Sequence, residues 1–178
     1  LFFFLSFAVN AFASPIWQPF NQGVRHTGAI TEIAINPKNS DEIFAESRLA
    51  GLFKSIDHGK TWNPVAQTIF AGKRIRQIIF HPARTNEIFV AAQDGVYQSL
   101  DDGQTWQKIS EYQRAYLTFN PVNADEIYLV DLFFTYDKKA IFKSNDDGKT
   151  WFEIKISNNN DLWLLGKVSI SPSQPNIL

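Results

Sequence analysis

The sequence predicts an all-β protein made of repeated four-stranded antiparallel sheets, the architecture of a β-propeller. Two observations support this fold class. A motif containing Ser, Asp, Gly, Thr and Trp recurs from Ser55, Ser99 and Ser144, at intervals of 44 and 45 residues. Between the motifs, short apolar runs alternate with Pro, Asn, Asp and Gly, whereas no long stretch has the 3.6-residue period of a helix.

Composition restricts the function classes. The 178 residues are 44% hydrophobic, which is enough for the core of about one domain. The net charge of −1 argues against a nucleic-acid partner, which normally requires a basic excess. The chain has no Cys, which excludes disulfides, thiolate metal sites and a cysteine nucleophile. Its three histidines lack metal-ligand spacing, so we expect no metal and no cofactor.

The N-terminal stretch predicts export. Residues 1–13 read LFFFLSFAVNAFA, carry no charge and end in a small-residue pattern before Ser14. These features are typical of the apolar region and cleavage site of a secretory signal peptide, whose basic start would lie upstream. The alternatives are a buried strand or the tail of a membrane anchor, although 13 residues are too few to span a bilayer. We expect a periplasmic or extracellular domain over 14–178, with no membrane span after cleavage.

The sequence of each repeat predicts four strands that form an antiparallel meander. In the first repeat the strands are expected at 33–36, 43–45, 51–56 and from Trp62 onward. Such a sheet cannot bury both faces alone and needs neighbouring repeats. A fourth copy, VSISPSQPNIL, begins at 168, so we expect three full blades and part of a fourth, incomplete at the C-terminus and belonging to a larger ring. The stretch 16–20 resembles 61–65, which suggests an outer strand that completes a later blade.

The recurring motif, Ser-x-Asp-x-Gly-x-Thr-Trp, falls between the third and fourth strands and predicts a hairpin turn. Asp and the hydroxyl groups can satisfy turn N–H groups, Gly can adopt a positive φ, and Trp can bury its ring. Calcium binding is the alternative, but an EF-hand register would place Leu100 and Gln98 at ligand positions. The motif residues are Ser55, Asp57, Gly59, Thr61 and Trp62; Ser99, Asp101, Gly103, Thr105 and Trp106; and Ser144, Asp146, Gly148, Thr150 and Trp151.

These motif residues resemble the Asp-box, or bacterial neuraminidase repeat, in three copies over roughly 30–178. That repeat occurs in sialidases, family-74 glycoside hydrolases, sortilin-type receptors and photosystem II stability/assembly factors. The resemblance implies a β-propeller. It does not imply an activity, because the Asp-box in those families lies away from the active face.

Loops at the end of the sheets opposite the motif are the predicted binding face. In a meander, alternate turns lie at opposite ends, and length variation concentrates in the turns away from the motif. Rings and cations there could bind a protein or a glycan; alternatively, the rings pack between blades and the cations are solvated. The candidates are Arg48, Arg74, Arg76, Tyr112, Arg114, Phe133, Phe134, Tyr136 and Trp163.

Catalytic residues are weakly indicated. Family-74 enzymes place a catalytic Asp after the second strand of the first blade, and the matching position here is Arg48. The sialidase Phe-Arg-Ile-Pro motif is missing from this sequence, and Asp94 and Asp131 are the best-placed carboxylates. The favoured interpretation is an exported, non-catalytic binding or assembly propeller. The alternative is a sialidase-like or xyloglucanase-like hydrolase whose catalytic residues lie in missing blades; the oligomeric state is not predicted.

Overall fold

The computed structural model describes residues 28–131, 140–154 and 168–173. These residues form three four-stranded antiparallel sheets, which confirms the predicted all-β fold class. The first sheet contains β1 (Ile30–Asn36), β2 (Asn39–Ser47), β3 (Gly51–Ser55) and β4 (Asn63–Val65). The second contains β5 (Ile75–Phe80), β6 (Ile88–Ala92), β7 (Gly95–Ser99) and β8 (Gln107–Ser110). The third contains β9 (Tyr116–Phe119), β10 (Ile127–Asp131), β11 (Ala140–Ser144) and β12 (Phe152–Ile154).

Within each sheet, the spatial order of the strands equals their order in the chain. Every strand therefore pairs with the next through one turn, and successive turns lie at opposite ends of the sheet. One end carries the turns between the first and second strands and the turns that contain the repeated motif; we call it the hairpin face. The other end carries the turns between the second and third strands and the connections between sheets; we call it the loop face.

Apolar side chains join the sheets face to face. Phe44 and Leu52 of the first sheet are fully buried in one cluster with Ile78 and Val90 of the second. A second cluster joins the second and third sheets in the same way. A third places residues 168 and 170 against the third sheet. Because apolar burial is the main stabilising contribution to folding, the stacking of sheets stabilises each repeat.

The outer side of the first sheet differs from the corresponding side of the others. Ile33 and Ile35 on β1 are 54% and 56% exposed. In the second repeat the equivalent residues, Ile78 and Phe80, are 4% and 7% exposed because the first sheet covers them. Within the described ranges, no sheet covers Ile33 and Ile35, and their exposure is consistent with an arc of a larger propeller.

Within residues 28–131, 140–154 and 168–173, one helix interrupts the predicted all-strand pattern. Helix α1 (Gln67–Phe70) is a single turn in the connection between the first two sheets. Phe70 is fully buried and packs edge-to-face against Tyr97 and Trp106, with ring centroids 5.2 and 5.1 Å apart. Packing thus determines this turn, since four residues are too few to be stable alone. Among the described residues no helix has the length and apolar character needed to cross a membrane.

Candidate functional site

On the loop face, turns and connections from different strands lie side by side. Lys73, in the connection before β5, forms an ion pair of 2.7 Å with Asp94, in the turn between β6 and β7. In the first sheet, the backbone N–H of Arg48 donates to the carbonyl of Ala29, just before β1. The residues that precede β1 and β5 therefore lie beside the turns that follow β2 and β6.

Asp94, a candidate catalytic residue, is held by two neighbours. Lys73 Nζ and Tyr97 Oη donate to Asp94 Oδ2 at 2.7 and 2.9 Å. Burial acts to raise the pKa of Asp94, but these hydrogen bonds outweigh it and lower the pKa below its ordinary value. Asp94 is therefore an ionised, paired carboxylate at neutral pH and cannot donate a proton as a general acid.

Asp131, the other candidate carboxylate, lies at the end of β10 in the third sheet. Burial raises the pKa of Tyr112, and the charges of Asp131 and Glu153 raise it further. The ring of Tyr112 stacks on Phe142 with centroids 4.0 Å apart, so one ring face is covered by the protein. Within the described part of the chain, no contact joins Asp94 to Asp131, whereas glycoside hydrolysis requires two carboxylates that flank one bond.

The loop face carries arginines without acidic partners. Arg48 and Arg74 are exposed and Arg76 is half-buried, and over residues 28–131, 140–154 and 168–173 none of the three forms an ion pair. Arg114 is also exposed and does have an interaction partner. The remaining candidates, Phe133, Phe134, Tyr136 and Trp163, lie outside the described residues.

The three motif segments form closely similar hairpins. Ser55 Oγ donates to Asp57 Oδ1 at 2.7 Å and accepts from the Gly59 N–H at 2.8 Å. Thr61 donates to Asp57 through its hydroxyl and its backbone N–H, at 2.6 and 2.9 Å. The hydrogen bonds from Thr61 are the largest cause that lowers the pKa of Asp57 to about 2. Both carboxylate oxygens are thus engaged inside the turn, as expected for a structural role.

Burial of the motif tryptophans varies among the three hairpins. Trp62 is 4% exposed, whereas Trp106 and Trp151 are half-buried. The residue before each motif glycine also has a positive φ, whereas the motif predicts a positive φ for glycine alone. These residues are His58, Asp102 and Asp147, with φ values of 60°, 58° and 62°. The sequence did contain a signal, because His and Asp tolerate the left-handed region better than most residues.

A charge cluster on the hairpin face was not anticipated from the sequence. Arg84 donates through Nε to Glu87 at 2.5 Å, through Nη1 to Asp125 at 2.8 Å and through Nη2 to Asp147 at 2.8 Å. Arg84 and Glu87 belong to the second repeat, and the two aspartates belong to the third. The cluster therefore joins neighbouring sheets at the hairpin face, and we call it the Arg84 joint.

The second repeat differs from the other two in the cation that pairs with its glutamate. In the first and third repeats, Lys54 and Lys143 each pair with the glutamate of their own repeat, at 2.7 and 2.9 Å. Gln98 stands at the equivalent position of the second repeat. Arg84 supplies the cation for Glu87 instead, and reaches the next sheet.

His81, Glu87 and Asp147 have ligand atoms within 4.8 Å of one another, a spacing that could hold a metal ion. The hydrogen bonds of His81 argue against this role. His81 Nδ1 accepts the backbone N–H groups of residues 83 and 84, and Nε2 lies 3.2 Å from the carbonyl oxygen of Ala124. Nε2 therefore carries the hydrogen and neither ring nitrogen has a free lone pair. Burial lowers the pKa of His81, so the ring is neutral, and Arg84 provides the positive charge.

Comparisons with known proteins agree with the fold. Residues 94–178 match a model of the family described as Sortilin, neurotensin receptor 3 (Sortilin-Vps10), whose members are β-propellers. A search of curated proteins gives no match. An ancestral GH74 enzyme is similar with 24% identity and a TM-score of 0.62, over 77% of this chain and 20% of that chain.

Two YCF48 structures are also similar. YCF48 from Cyanidioschyzon merolae has 18% identity and a TM-score of 0.54, over 73% of this chain and 38% of that chain. YCF48 bound to D1 peptide has the same identity and TM-score, over 74% of this chain and 42% of that chain. The chain thus spans less than half the length of each of these three structures. Because hydrolases and a peptide-binding protein both appear at low identity, the comparisons show the β-propeller fold.

Proposed function

We propose that this chain is part of an exported, non-catalytic Asp-box β-propeller that binds a protein ligand on its loop face, with a glycan as the alternative ligand. The observation that carries the proposal is the set of three arginines, Arg48, Arg74 and Arg76, which have no acidic partner among the described residues. Arg48 follows β2, Arg74 precedes β5 and Arg76 lies on β5, so packed sheets hold all three residues in place.

Such arginines suit the recognition of acidic groups. A guanidinium group presents a planar set of donors that binds a carboxylate through two parallel hydrogen bonds. Arginine is also enriched among the residues that dominate protein–protein binding energies. The similarity to YCF48 bound to D1 peptide supports a peptide or protein ligand, since a propeller of this kind accommodates one.

The carboxylates of the loop face favour binding over hydrolysis. Asp94 is paired with Lys73 and has a lowered pKa, and the described contacts of Asp131 are separate from those of Asp94. Arg48 occupies the position that resembles a catalytic aspartate in family-74 enzymes, and a cation cannot serve as the acid or base there. Hydrolase activity therefore finds little support in the described residues.

Export is part of the proposal and rests on the apolar, uncharged stretch 1–13. Expression of the chain in a bacterial host, with a start Met and a short basic segment added before Leu1, followed by N-terminal sequencing of the secreted product, tests it. We expect the mature chain to begin at Ser14. Retention of 1–13 in a membrane-bound product would support the anchor alternative.

The binding test compares loop-face and hairpin-face cations. The chain is screened against an array of acidic and neutral peptides and against a glycan array, and the affinity of the strongest hit is measured by fluorescence anisotropy. Changing Arg74 and Arg76 together to Gln should weaken binding about 10-fold or more, since one charge-assisted hydrogen bond is worth about 1.5–3 kcal/mol. Lys60→Gln, an exposed change on the hairpin face, is the matched control.

Two results would contradict the proposed function. Equal weakening by the loop-face and hairpin-face variants would indicate non-specific charge attraction. Hydrolysis of xyloglucan or of a fluorogenic sialoside by the chain, lost on Asp94→Asn, would establish the hydrolase alternative.

A further inference from the structure

The Arg84 joint leaves two buried carboxylate oxygens without donors. Arg84 donates to Glu87 Oε1 and to Asp147 Oδ2, one oxygen of each carboxyl group. The second oxygens, Glu87 Oε2 and Asp147 Oδ1, are inaccessible to solvent and accept no N–H or O–H hydrogen bond from the described residues. Buried polar atoms rarely stay without a partner, because desolvation is then uncompensated.

The two groups lie next to each other. A ligand atom of Glu87 and one of Asp147 lie within 4.8 Å of each other, so the two carboxyl groups are neighbours at the joint. Two ionised carboxylates have only acceptors and repel each other, so a hydrogen bond between them forms only when one of them keeps a proton. A proton held by one of the two carboxyl groups would remove the charge repulsion and supply an O–H donor at the joint.

The surrounding charges favour the same conclusion. Three carboxylates, those of Glu87, Asp125 and Asp147, share one guanidinium group, that of Arg84. His81 adds no positive charge, because its two nitrogens are engaged as in a neutral ring. His81 Nε2 lies 3.7 Å from Asp147 Oδ1, and Gln98 lies 3.4 Å from Asp147 Oδ2. The exposed Lys149 acts on Asp125, the third carboxylate of the joint.

We propose that Glu87 and Asp147 share one proton across the joint between the second and third sheets, and that this joint weakens as the pH rises and the proton is lost. Asp147 is the donor, because burial and the neighbouring Glu87 charge raise the pKa of Asp147. On deprotonation no bond within the chain breaks other than the O–H bond, and the proton passes to water. The inference concerns the hairpin face and does not depend on the proposed function.

The direction of the pH effect follows from proton linkage. In the unfolded chain Asp147 has the ordinary pKa, 3.8, and loses its proton above that pH. In the folded chain it keeps the proton up to its raised pKa. Between these two values the folded state binds one more proton, so the unfolding equilibrium constant rises up to about 10-fold per pH unit. The stabilisation is complete below 3.8 and is lost as the pH passes the raised value.

Urea unfolding of the chain between pH 4 and 8 tests the inference, with Asp147→Asn as the variant. Asparagine keeps an N–H donor toward Glu87, tolerates the positive φ and cannot ionise. The matched control is Asp102→Asn, at the equivalent position of the second hairpin, where φ is 58° and the backbone carbonyl of Asp102, rather than its side chain, contacts the neighbouring sheet. We expect a pH slope in the wild type and in Asp102→Asn, and its loss in Asp147→Asn.

A titration of the side-chain carboxyl ¹³C signals by NMR provides a second measurement, and its main result needs only the wild-type chain. One carboxyl group of the wild-type chain should keep its proton above the ordinary aspartate range, and Glu87→Gln should shift that titration. Two carboxyl groups that both ionise in the ordinary range would overturn the inference. Equal pH slopes for the wild type and Asp147→Asn would overturn it as well.

Discussion

Replacing Gly103 with alanine tests how closely the hairpin of the second repeat approaches the first sheet. Gly103 has a φ of 83°, and a Cβ atom there would lie 2.9 Å from Cζ of Phe44. Phe44 is fully buried, and its ring packs edge-to-face against Phe80 with centroids 5.8 Å apart. The ring is therefore confined and cannot simply move away from the added methyl group.

Gly59→Ala in the first hairpin is the matched control. Gly59 has a φ of 80°, so both variants pay the left-handed cost of about 1–2 kcal/mol. The nearest atom to a Cβ at Gly59 belongs to Trp62 of the same hairpin, at 3.3 Å. Only Gly103→Ala forces two sheets apart, which adds about 1–3 kcal/mol of overpacking. We expect Gly103→Ala to lower the free energy of unfolding by about 1–3 kcal/mol more than Gly59→Ala.

Urea unfolding followed by tryptophan fluorescence measures both free energies. The entropy that alanine removes from the unfolded chain is the same in the two variants and cancels in the comparison. Equal destabilisation of the two variants would refute the reasoning, because it would mean that Phe44 and the second hairpin are not in contact. A larger loss in Gly59→Ala would refute it too.

Three further changes test the hairpins and the sheet contacts. Trp62→Ala should lower the free energy of unfolding by about 3–5 kcal/mol, the usual cost of removing a buried aromatic, as measured by urea unfolding; a variant as stable as the parent would contradict burial of the ring. Asp57 has its pKa lowered to about 2, so its contribution is complete above 3.8 and is lost as the pH falls through about 2; Asp57→Asn should flatten acid unfolding in that window, and an unchanged acid profile would be the contrary result. Gln77 bridges to both the N–H and the carbonyl of Leu117 on the next sheet, at 2.7 and 3.0 Å; Gln77→Ala should cost about 2–4 kcal/mol in urea unfolding by leaving these buried groups unpaired, and a cost near zero would show that water replaces the bridge.

Much of the fold was predictable because its signals are local and repeated. The alternation of apolar runs with Pro, Asn, Asp and Gly predicts short strands, and the recurrence of the motif from Ser55, Ser99 and Ser144 predicts that the sheets are equivalent. Helix α1 was not predicted. Its four residues are too few to show a period, and Phe70 is held by Tyr97 and Trp106, which come from the second sheet.

The candidate site was predictable only in outline. The meander places the turns at opposite ends, so the assignment of Arg48, Arg74 and Arg76 to the loop face followed from strand order. The pairing of Asp94 with Lys73, 21 residues away, did not. No local pattern relates two residues that meet only after the connection between sheets folds back.

The Arg84 joint is a second group of contacts that no local sequence pattern predicts. Arg84 contacts residues 41 and 63 positions along the chain, and the sequence alone offers only the replacement of a lysine by Gln98 as a hint. The packing of the second and third sheets also brings the ligand atoms of His81, Glu87 and Asp147 to a distance at which they could hold a metal ion. The hydrogen bonds of His81 argue against a metal ion, and they too depend on which backbone groups lie near the ring.

The sequence by itself determined the fold class and the chemistry of the hairpins, because those hydrogen bonds join residues at most four positions apart. The tertiary structure determined which apolar side chains are buried and which carboxyl groups have shifted pKa values. Ile33 and Ile78 occupy the same position of two repeats, yet one is 54% exposed and the other 4%, since among the described residues a neighbouring sheet packs against Ile78 and none packs against Ile33. The same holds for carboxyl groups: the pKa of Asp147 is raised by burial and by the charge of Glu87, which belongs to the neighbouring sheet. Solvation and electrostatic energy depend on surroundings in space, and residues distant in sequence create those surroundings.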